Sequence, residues 1–294
     1  MTARPSHSNR ITVLDAGMLS LVQDRGRPGL AHLGVPRSGA ADKDAMTLAN
    51  RMLGNAEGAP VIETTNGGLT IRCEQPCLVT VTGAPLRVCV DGRRRWSHEV
   101  LAVRAGQQVS LGMPSDGLRS YLAIRGGFEV SPVLGSCATD RLSGLGPLPL
   151  ATGDVIAVGT ATGPRPATDL VVPVPPPTPA VDVELPVRFG PRDDWFEPAA
   201  RHLLLAERFE VTPDSDRVGV RMSGPALPRR IRAELTSEGV VEGALQAPPG
   251  GRLTLFGPDH PVTGGYPVIA VVRARALPIA AQLRPGQGVR FVHG

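Results

Sequence analysis

Short runs of aliphatic and β-branched residues recur along both halves of the chain, separated by Gly, Pro or Asp. Runs of about five such residues between turn signals are typical of the strands of a β-sandwich or β-barrel. The sequence therefore predicts strands over residues 78–82, 86–90, 100–103, 108–111, 121–124, 154–158, 218–222, 253–256, 268–272 and 289–292.

One segment of the first half has the periodicity of an amphipathic helix. Asp42 is a suitable N-cap, and Gly54 is suited to the left-handed conformation that ends many helices. Between them apolar residues recur at i, i+3, i+4 and i+7, the spacing of one helix face, at Ala45, Leu48, Ala49 and Met52.

A second helix is predicted over residues 199–208. Asp194 is followed three residues later by Glu197, which is typical of a capping box, and Pro198 is tolerated in a first turn. Two short helices among many strands predict a mainly β fold.

A proline-rich segment divides the chain. Seven prolines lie within residues 163–180, which excludes a helix there and favours an extended connector. We therefore predict a first domain over residues 1–162, a linker over 163–183 and a second domain over 184–294.

The two halves share the pattern R-x-G-Q-x-V, which begins at Arg104 and at Arg284. This repeat favours two related β-barrels in tandem, with a cleft where they meet. The alternative is that segments with a turn followed by a strand look alike by chance.

The composition excludes several classes of protein. The net charge is +4, but the arginines are scattered, with clusters only at 93–95 and 229–230, and aromatic residues make up 3% of the chain. A nucleic-acid surface needs a basic stripe with aromatics for stacking, so we interpret these clusters as solvated loops and expect no nucleic acid.

The apolar runs of the chain are too short for a membrane span, and its N-terminal residues lack the apolar core of a signal peptide. We expect a cytoplasmic protein without a membrane partner.

The four cysteines predict structural thiols and no metal site. Cys73 and Cys77 would lie about 13 Å apart on one straight strand, too far to share a zinc ion or a disulfide. Pro76 between them could bend that geometry.

The segment 23–42 could hold an anion such as a substrate carboxylate, because it is rich in glycine and ends at a helix N-terminus. The alternatives are a local ion pair among Asp24, Arg25 and Arg27, and a purely capping role for Asp42.

Three further segments could bind a small ligand. In the segment 213–219, Arg217 beside a carboxylate could orient an amide or carboxylate. The segments 236–239, followed by Gln246, and 262–267 could line a ligand through polar groups and paired glycines. The alternative for each of these segments is a turn that binds no ligand. No P-loop pattern and no H-E-x-x-H pattern occurs.

These segments resemble the biotin-dependent carboxyltransferase family, which includes allophanate hydrolase subunit 2 and KipA. The resembling motifs follow the family's order along the chain, at residues 22–29, 32–42, 49–55, 63–68, 194–196, 215–219, 237–239, 243–246 and 263–267.

The resemblance implies two cyclophilin-like β-barrel subdomains. It also implies the C-type component of an ATP-dependent 5-oxoprolinase, which opens the lactam of 5-oxo-L-proline to L-glutamate. The implied partners are a KipI-like B-type component and a LamB/YcsF-like A-type component, with a small amide as substrate. ATP would be used by the complex, and no cofactor would be bound covalently.

On this basis we hypothesise that Asp42, Glu238 and Tyr266 are catalytic and that no residue binds a metal. The hypothesised substrate-binding residues are Ser38, Gly39, Ser215, Asp216, Arg217, Gln246, Thr263, Gly264 and Gly265.

One segment departs from the family pattern Asp-Arg-Gln-Thr-Thr-Gly-Gly-Tyr-Pro-Lys. Here Pro261 replaces the glutamine, Val262 a threonine and Val268 the lysine. This departure keeps two alternatives open: a KipA-type regulatory protein that antagonises a KipI-like kinase inhibitor, and a carboxyltransferase or allophanate hydrolase-like protein that acts on urea-type amides.

Overall fold

The computed structural model describes residues 9–173, 178, 181–249 and 252–294. Three α-helices lie in this part of the chain, namely α1 (Lys43–Leu53), α2 (Pro198–Ala206) and α3 (Leu277–Ala280). None of these helices is long and apolar enough to cross a membrane.

Twelve strands build the first half. They are β1 (Arg10–Ala16), β2 (Leu19–Gln23), β3 (Val61–Thr65), β4 (Leu69–Cys73), β5 (Cys77–Gly83), β6 (Arg87–Val90), β7 (Arg93–Trp96), β8 (Leu101–Val103), β9 (Gln108–Leu111), β10 (Arg119–Ile124), β11 (Phe128–Glu129) and β12 (Val155–Val158).

These strands form two sheets that enclose one core. The larger sheet has the order β11-β12-β1-β4-β9-β6-β7 and the smaller one the order β2-β3-β10-β5-β8. Ile11, Ile71, Val81 and Leu122 are fully buried in the shared core. The two sheets face each other, and in the described part of the chain their edges are not joined by strand pairing.

The second half closes into a barrel. Its strands are β13 (Val183–Phe189), β14 (Arg208–Val211), β15 (Gly219–Ser223), β16 (Glu238–Gly239), β17 (Ala244–Gln246), β18 (Leu253–Phe256), β19 (Thr263–Gly264), β20 (Val268–Val272) and β21 (Gly288–His293). Seven of them form a ring in the order β13-β20-β17-β18-β15-β14-β21, while β16 and β19 pair outside it. The predicted mainly β fold is confirmed.

The helix predictions have different outcomes. Helix α1 follows the prediction, with the Asp42 carboxylate accepting the Ala45 N–H and Gly54 ending the helix in the left-handed conformation. The predicted capping box of the second helix is wrong, because Asp194 lies in a separate 3-10 turn and Glu197 caps α2 without a side-chain hydrogen bond. Helix α2 also ends at Ala206, since β14 begins two residues later and takes the chain into the barrel.

Every predicted strand lies on an observed one, but eleven observed strands lie outside the predicted ranges, and one of these was interpreted as a loop. The arginine cluster 93–95, interpreted as a solvated loop, lies on the edge strand β7 and pairs with β6. Its side chains are exposed, so the sequence lacked the apolar alternation that marks a half-buried strand.

Cys73 and Cys77 lie on two different strands. The chain bends between β4 and β5, so the straight-strand distance does not apply, and the two thiols interact with each other. This contact, together with burial, raises the pKa of Cys73, and the same contact lowers the pKa of Cys77. Both thiols are free, and the described residues contain no group of three or more side chains suited to a metal ion.

The connector between the halves is described only in part. Residues 169–171 run beside 98–100, where the Val100 N–H donates to the Asp169 carbonyl and the Val171 N–H to the His98 carbonyl. Residues 174–177 and 179–180 of the predicted extended linker lie outside the described residues. The domain boundaries at 162 and 183 stay a prediction.

Candidate functional site

A cleft with a volume of about 390 Å³ lies where the two halves meet. One wall is formed by the loop 27–37 of the first half, and the other by residues 240–242, 260 and 262 of the second half. Most lining side chains are apolar, and the polar ones include Arg27, Arg37, Glu242 and His260. An apolar cleft with a few polar groups is the usual form of a small-molecule site.

The glycine-rich segment builds the first wall by folding back on itself. The Arg27 N–H donates to the Arg37 carbonyl, and the Ala40 N–H donates to the Asp24 carbonyl. Gly26 and Gly39 touch where these two stretches pass, so a Cβ on Gly39 would lie 2.7 Å from the Gly26 nitrogen. Both glycines have positive φ, at 76° and 94°, so only glycine fits this crossing.

The acidic and basic residues of this segment do not pair with each other. The Asp24 carboxylate accepts hydrogen bonds from the Gly26 N–H, the Ser136 hydroxyl and the Cys137 N–H. Arg25 forms an ion pair with Glu57 on the surface. The local ion pair considered from the sequence is therefore not formed, and Asp24 fixes the loop 136–137 instead.

A buried charged network connects the two halves beneath the cleft wall. Arg217 donates to Glu63, to both carboxylate oxygens of Asp259 and to the Gly39 carbonyl. The Ser38 hydroxyl donates to Asp259 at 2.7 Å. Burial alone would raise the pKa of Asp259, but the Arg217 guanidinium keeps it below its ordinary value. Three hypothesised substrate-binding residues, Ser38, Gly39 and Arg217, thus meet in one place.

This network leaves little for a ligand to contact. Arg217 is buried, and its nitrogens are directed to groups of the protein itself. The geometry therefore indicates that Ser38, Gly39 and Arg217 hold the two halves together.

Asp42 is buried at the N-terminus of α1. Its carboxylate accepts the Ala45 N–H at 2.9 Å and the Gln282 side-chain amide at 2.8 Å, so it contacts both halves of the chain. Burial raises the pKa of Asp42 to about 6, although these two hydrogen bonds act in the opposite direction. It is not among the residues that line the cleft.

The raised pKa of Asp42 predicts a pH-dependent stability. The folded protein binds this proton more tightly than the unfolded chain, whose carboxyl has a pKa of 3.8, so the free energy of unfolding falls as pH rises from about 4 to about 6. The contribution of this one group is roughly 3 kcal/mol. The variant Asp42→Asn lacks this titrating carboxyl group. The difference in the free energy of unfolding, native protein minus variant, should therefore decrease over this pH range in urea titrations. A difference independent of pH would contradict the assignment.

The hypothesised residues of the second half form a corner beside the cleft. Glu238 and Gly264 pair across β16 and β19, and the Gln246 side chain donates to the Tyr266 carbonyl at 3.0 Å. The carboxylate of Glu238 forms an ion pair with Arg192 at 2.7 Å. Thr263 lies on β19, and Gly265 and a half-exposed Tyr266 follow.

The corner connects directly to the cleft through the backbone. The N–H of Val240, which follows Glu238 by two residues, donates to the carbonyl of Val262, and both residues line the cleft.

Ser215 and Asp216 lie apart from both groups. Asp216 accepts the N–H groups of Val218 and Gly219, and the Ser215 hydroxyl donates to the Arg221 carbonyl. These are the contacts of a tight turn before β15. The hypothesised site residues therefore divide into a buried network, a corner beside the cleft and a turn.

His260 is a candidate that the sequence patterns did not single out. It lines the cleft, and its Nδ1 lies 2.7 Å from the Pro261 carbonyl oxygen. Because a carbonyl can only accept, Nδ1 carries the proton and Nε2 has the free electron pair in the neutral ring. No Nε2 hydrogen bond forms within the described part of the chain. The residue lies inside the family-like segment 259–268, but a sequence does not reveal a tautomer.

Lys43 is a second such residue, and it is the only lysine of the chain. Its Nζ lies 2.6 Å from the Glu242 carboxylate, and Glu242 lines the cleft. This ion pair joins the N-terminus of α1 to the second half.

The comparisons with known proteins decide the family. Residues 33–293 match the carboxyltransferase domain, subdomains A and B. The chain belongs to the carboxyltransferase-domain family. The family resemblance found in the sequence is thereby confirmed.

Two curated relatives cover nearly all of this carboxyltransferase domain. The C subunit of the 5-oxoprolinase of Escherichia coli is 33% identical over 285 residues, which are 96% of this chain and 90% of that protein. The urea amidolyase of Lachancea kluyveri is 30% identical over 305 residues, which cover 95% of this chain and 17% of that protein.

Solved structures share the fold over 99% of the chain. The crystal structure of TTHA0988 superimposes with a TM-score of 0.88 at 32% identity, and this chain spans 57% of its length. The urea carboxylase of Kluyveromyces lactis superimposes with a TM-score of 0.86 at 27% identity, and this chain spans 28% of it.

Proposed function

We propose that this protein is the C-type component of an ATP-dependent 5-oxoprolinase complex that opens the lactam of 5-oxo-L-proline to L-glutamate. The observation that carries the proposal is the 33% identity to the C subunit of the E. coli 5-oxoprolinase, which extends over 90% of that protein. A cleft of about 390 Å³ between the two halves supports a small substrate of this kind.

In this proposal the substrate lies in the cleft and His260 acts on it. Opening the lactam adds water across the ring amide, so one proton leaves the water and one proton reaches the ring nitrogen. The neutral His260 ring, with Nδ1 held by the Pro261 carbonyl, has Nε2 available to accept the first of these protons. The corner of Glu238, Gln246 and Tyr266 would orient the amide.

ATP is assigned to the complex and not to this chain. A triphosphate is commonly held by a glycine-rich loop at an open helix N-terminus. The N-terminus of α1 is closed by the buried Asp42 carboxylate, and the seven residues before α2 contain no glycine. The proposed partners are a KipI-like B-type component and a LamB/YcsF-like A-type component, and ATP would be used with their participation.

Carboxyl transfer is the second candidate. It is favoured by the match to the carboxyltransferase domain and by the 30% identity to the urea amidolyase of L. kluyveri. The acceptor would be a urea-type amide, and the carboxyl donor would come from another protein or domain.

The proposal is tested by reconstitution with the two partner components. We expect ATP-dependent formation of glutamate from 5-oxo-L-proline only when this chain is present, with no carboxylation of urea by a carboxybiotin donor. Glu238→Ala should reduce the rate, with Glu207→Ala, a change at the end of α2, as the control. Full activity without this chain would refute the proposal, and urea carboxylation would favour the second candidate. A stable complex without either activity would favour the KipA-type regulatory alternative.

A further inference from the structure

Three arginines of the described chain are almost completely buried, and one of them has no counter-charge. Arg217 is balanced by Glu63 and Asp259, and the Nε of Arg119 lies 3.7 Å from Glu63. Arg27 is only 2% exposed, yet it forms no ion pair with a carboxylate in the described part of the chain. A buried guanidinium without a partner is costly, because it stays charged at any pH that a protein tolerates.

The contacts of Arg27 leave part of its hydrogen-bonding capacity unused. Its Nη2 donates to the Ala138 carbonyl at 2.6 Å, and its Nε donates to the Val133 carbonyl at 3.3 Å. Its Nη1 is buried and has no hydrogen-bond partner among the described residues. Two carbonyl dipoles hold the side chain in place but supply no negative charge.

The position of Arg27 indicates where the missing charge belongs. Arg27 lines the inter-half cleft, and so does the exposed Arg37, which also forms no ion pair in the described part. Glu242 is the acidic residue of the cleft lining, and Lys43 already neutralises it. The cleft therefore has an excess of positive charge on the side of the loop 27–37.

We propose that Arg27 is the anchor for an anionic group of the ligand, and that this ligand is a small carboxylate. A guanidinium binds a carboxylate through two parallel hydrogen bonds, and such a contact would give Nη1 its partner. Because Nη1 is buried, this contact requires the Arg27 side chain to turn toward the cleft. The exposed Arg37, which also lines the cleft, would contact the same anionic group. The inference rests on the proposed function only for the choice of 5-oxoproline as the first probe.

Two lactams that differ only in the carboxylate provide the test. Calorimetric titration of the full chain should detect 5-oxo-L-proline, and 2-pyrrolidinone, the same ring without the carboxylate, should bind about a hundredfold more weakly. Arg27→Met should reduce the affinity for 5-oxo-L-proline to that for 2-pyrrolidinone and leave the latter unchanged. Arg25→Met, two residues away and outside the cleft, should bind as the native protein does.

A loss of affinity in Arg27→Met must be distinguished from misfolding of the variant and from failure of the proposed function. Arg27→Lys keeps the charge without the planar fork, so this variant should fold and bind 5-oxo-L-proline with intermediate affinity. If 5-oxo-L-proline does not bind at all, acetate and N-carbamoylglycine are titrated next, and binding of either that depends on Arg27 supports the anchor while the proposed function fails.

Four results would overturn the proposal. The first is equal affinity of the native protein for both lactams, and the second is the same loss for both lactams in Arg27→Met. The third is an absence of binding by any carboxylate, and the fourth is tighter Arg27-dependent binding of inorganic phosphate.

Discussion

Arg217→Met is expected to lower the free energy of unfolding by about 3–5 kcal/mol. Methionine retains most of the apolar stem but removes the guanidinium. It leaves the buried carboxylate of Asp259 without a counter-ion, and it leaves Glu63 with Arg119 alone, whose Nε lies 3.7 Å away. The loss is large because these groups come from both halves of the chain, so the variant also weakens the contact between the halves. Urea titration followed by circular dichroism measures it.

Two further variants show whether charge is the cause. Arg221→Met, on the strand β15 but 38% exposed and 4.0 Å from Asp216, should change the unfolding free energy by less than about 1 kcal/mol. Adding Asp259→Asn to Arg217→Met should recover part of the loss, since the uncompensated charge of Asp259 disappears. A loss below about 1 kcal/mol for Arg217→Met alone would contradict a network that holds the halves together.

Local structure was largely predictable from the sequence because its signals are local. The cap at Asp42, the apolar spacing after it and Gly54 together determine α1 within a dozen residues. Ten strands with apolar runs were found for the same reason, whereas other strands with apolar residues, such as β1, β2 and β13, were not predicted. Strand β7 was interpreted as a loop, because an exposed edge strand of arginines has no apolar alternation. The Asp194 signal was misleading, because Asp194 lies in a separate 3-10 turn and α2 begins only at Pro198.

The candidate site was predictable only in part. The motifs located the two walls of the cleft, since the segments 23–42 and 259–268 both contribute to it. Pairing between distant residues could not be read from one sequence. The bond between Ser38 and Asp259 spans 221 positions, and that between Arg217 and Glu63 spans 154. These pairings place Ser38 and Arg217 in the interior, and they leave the cleft to residues such as Arg27 and His260.

His260→Asn is expected to lower kcat for glutamate formation by the reconstituted complex by about 10²–10⁴-fold, with a small change in KM. The asparagine amide can still donate to the Pro261 carbonyl in place of Nδ1, so the local backbone keeps its hydrogen bond. The variant has no basic nitrogen at the position of Nε2, so a proton that His260 accepts in the native protein has no acceptor. His202→Asn, on an exposed position of α2, is the matched control and should retain full activity. Equal rates for the two variants would exclude His260 from proton transfer. A rise in KM with kcat unchanged would place His260 in substrate binding alone, because an acid–base group acts on the chemical step.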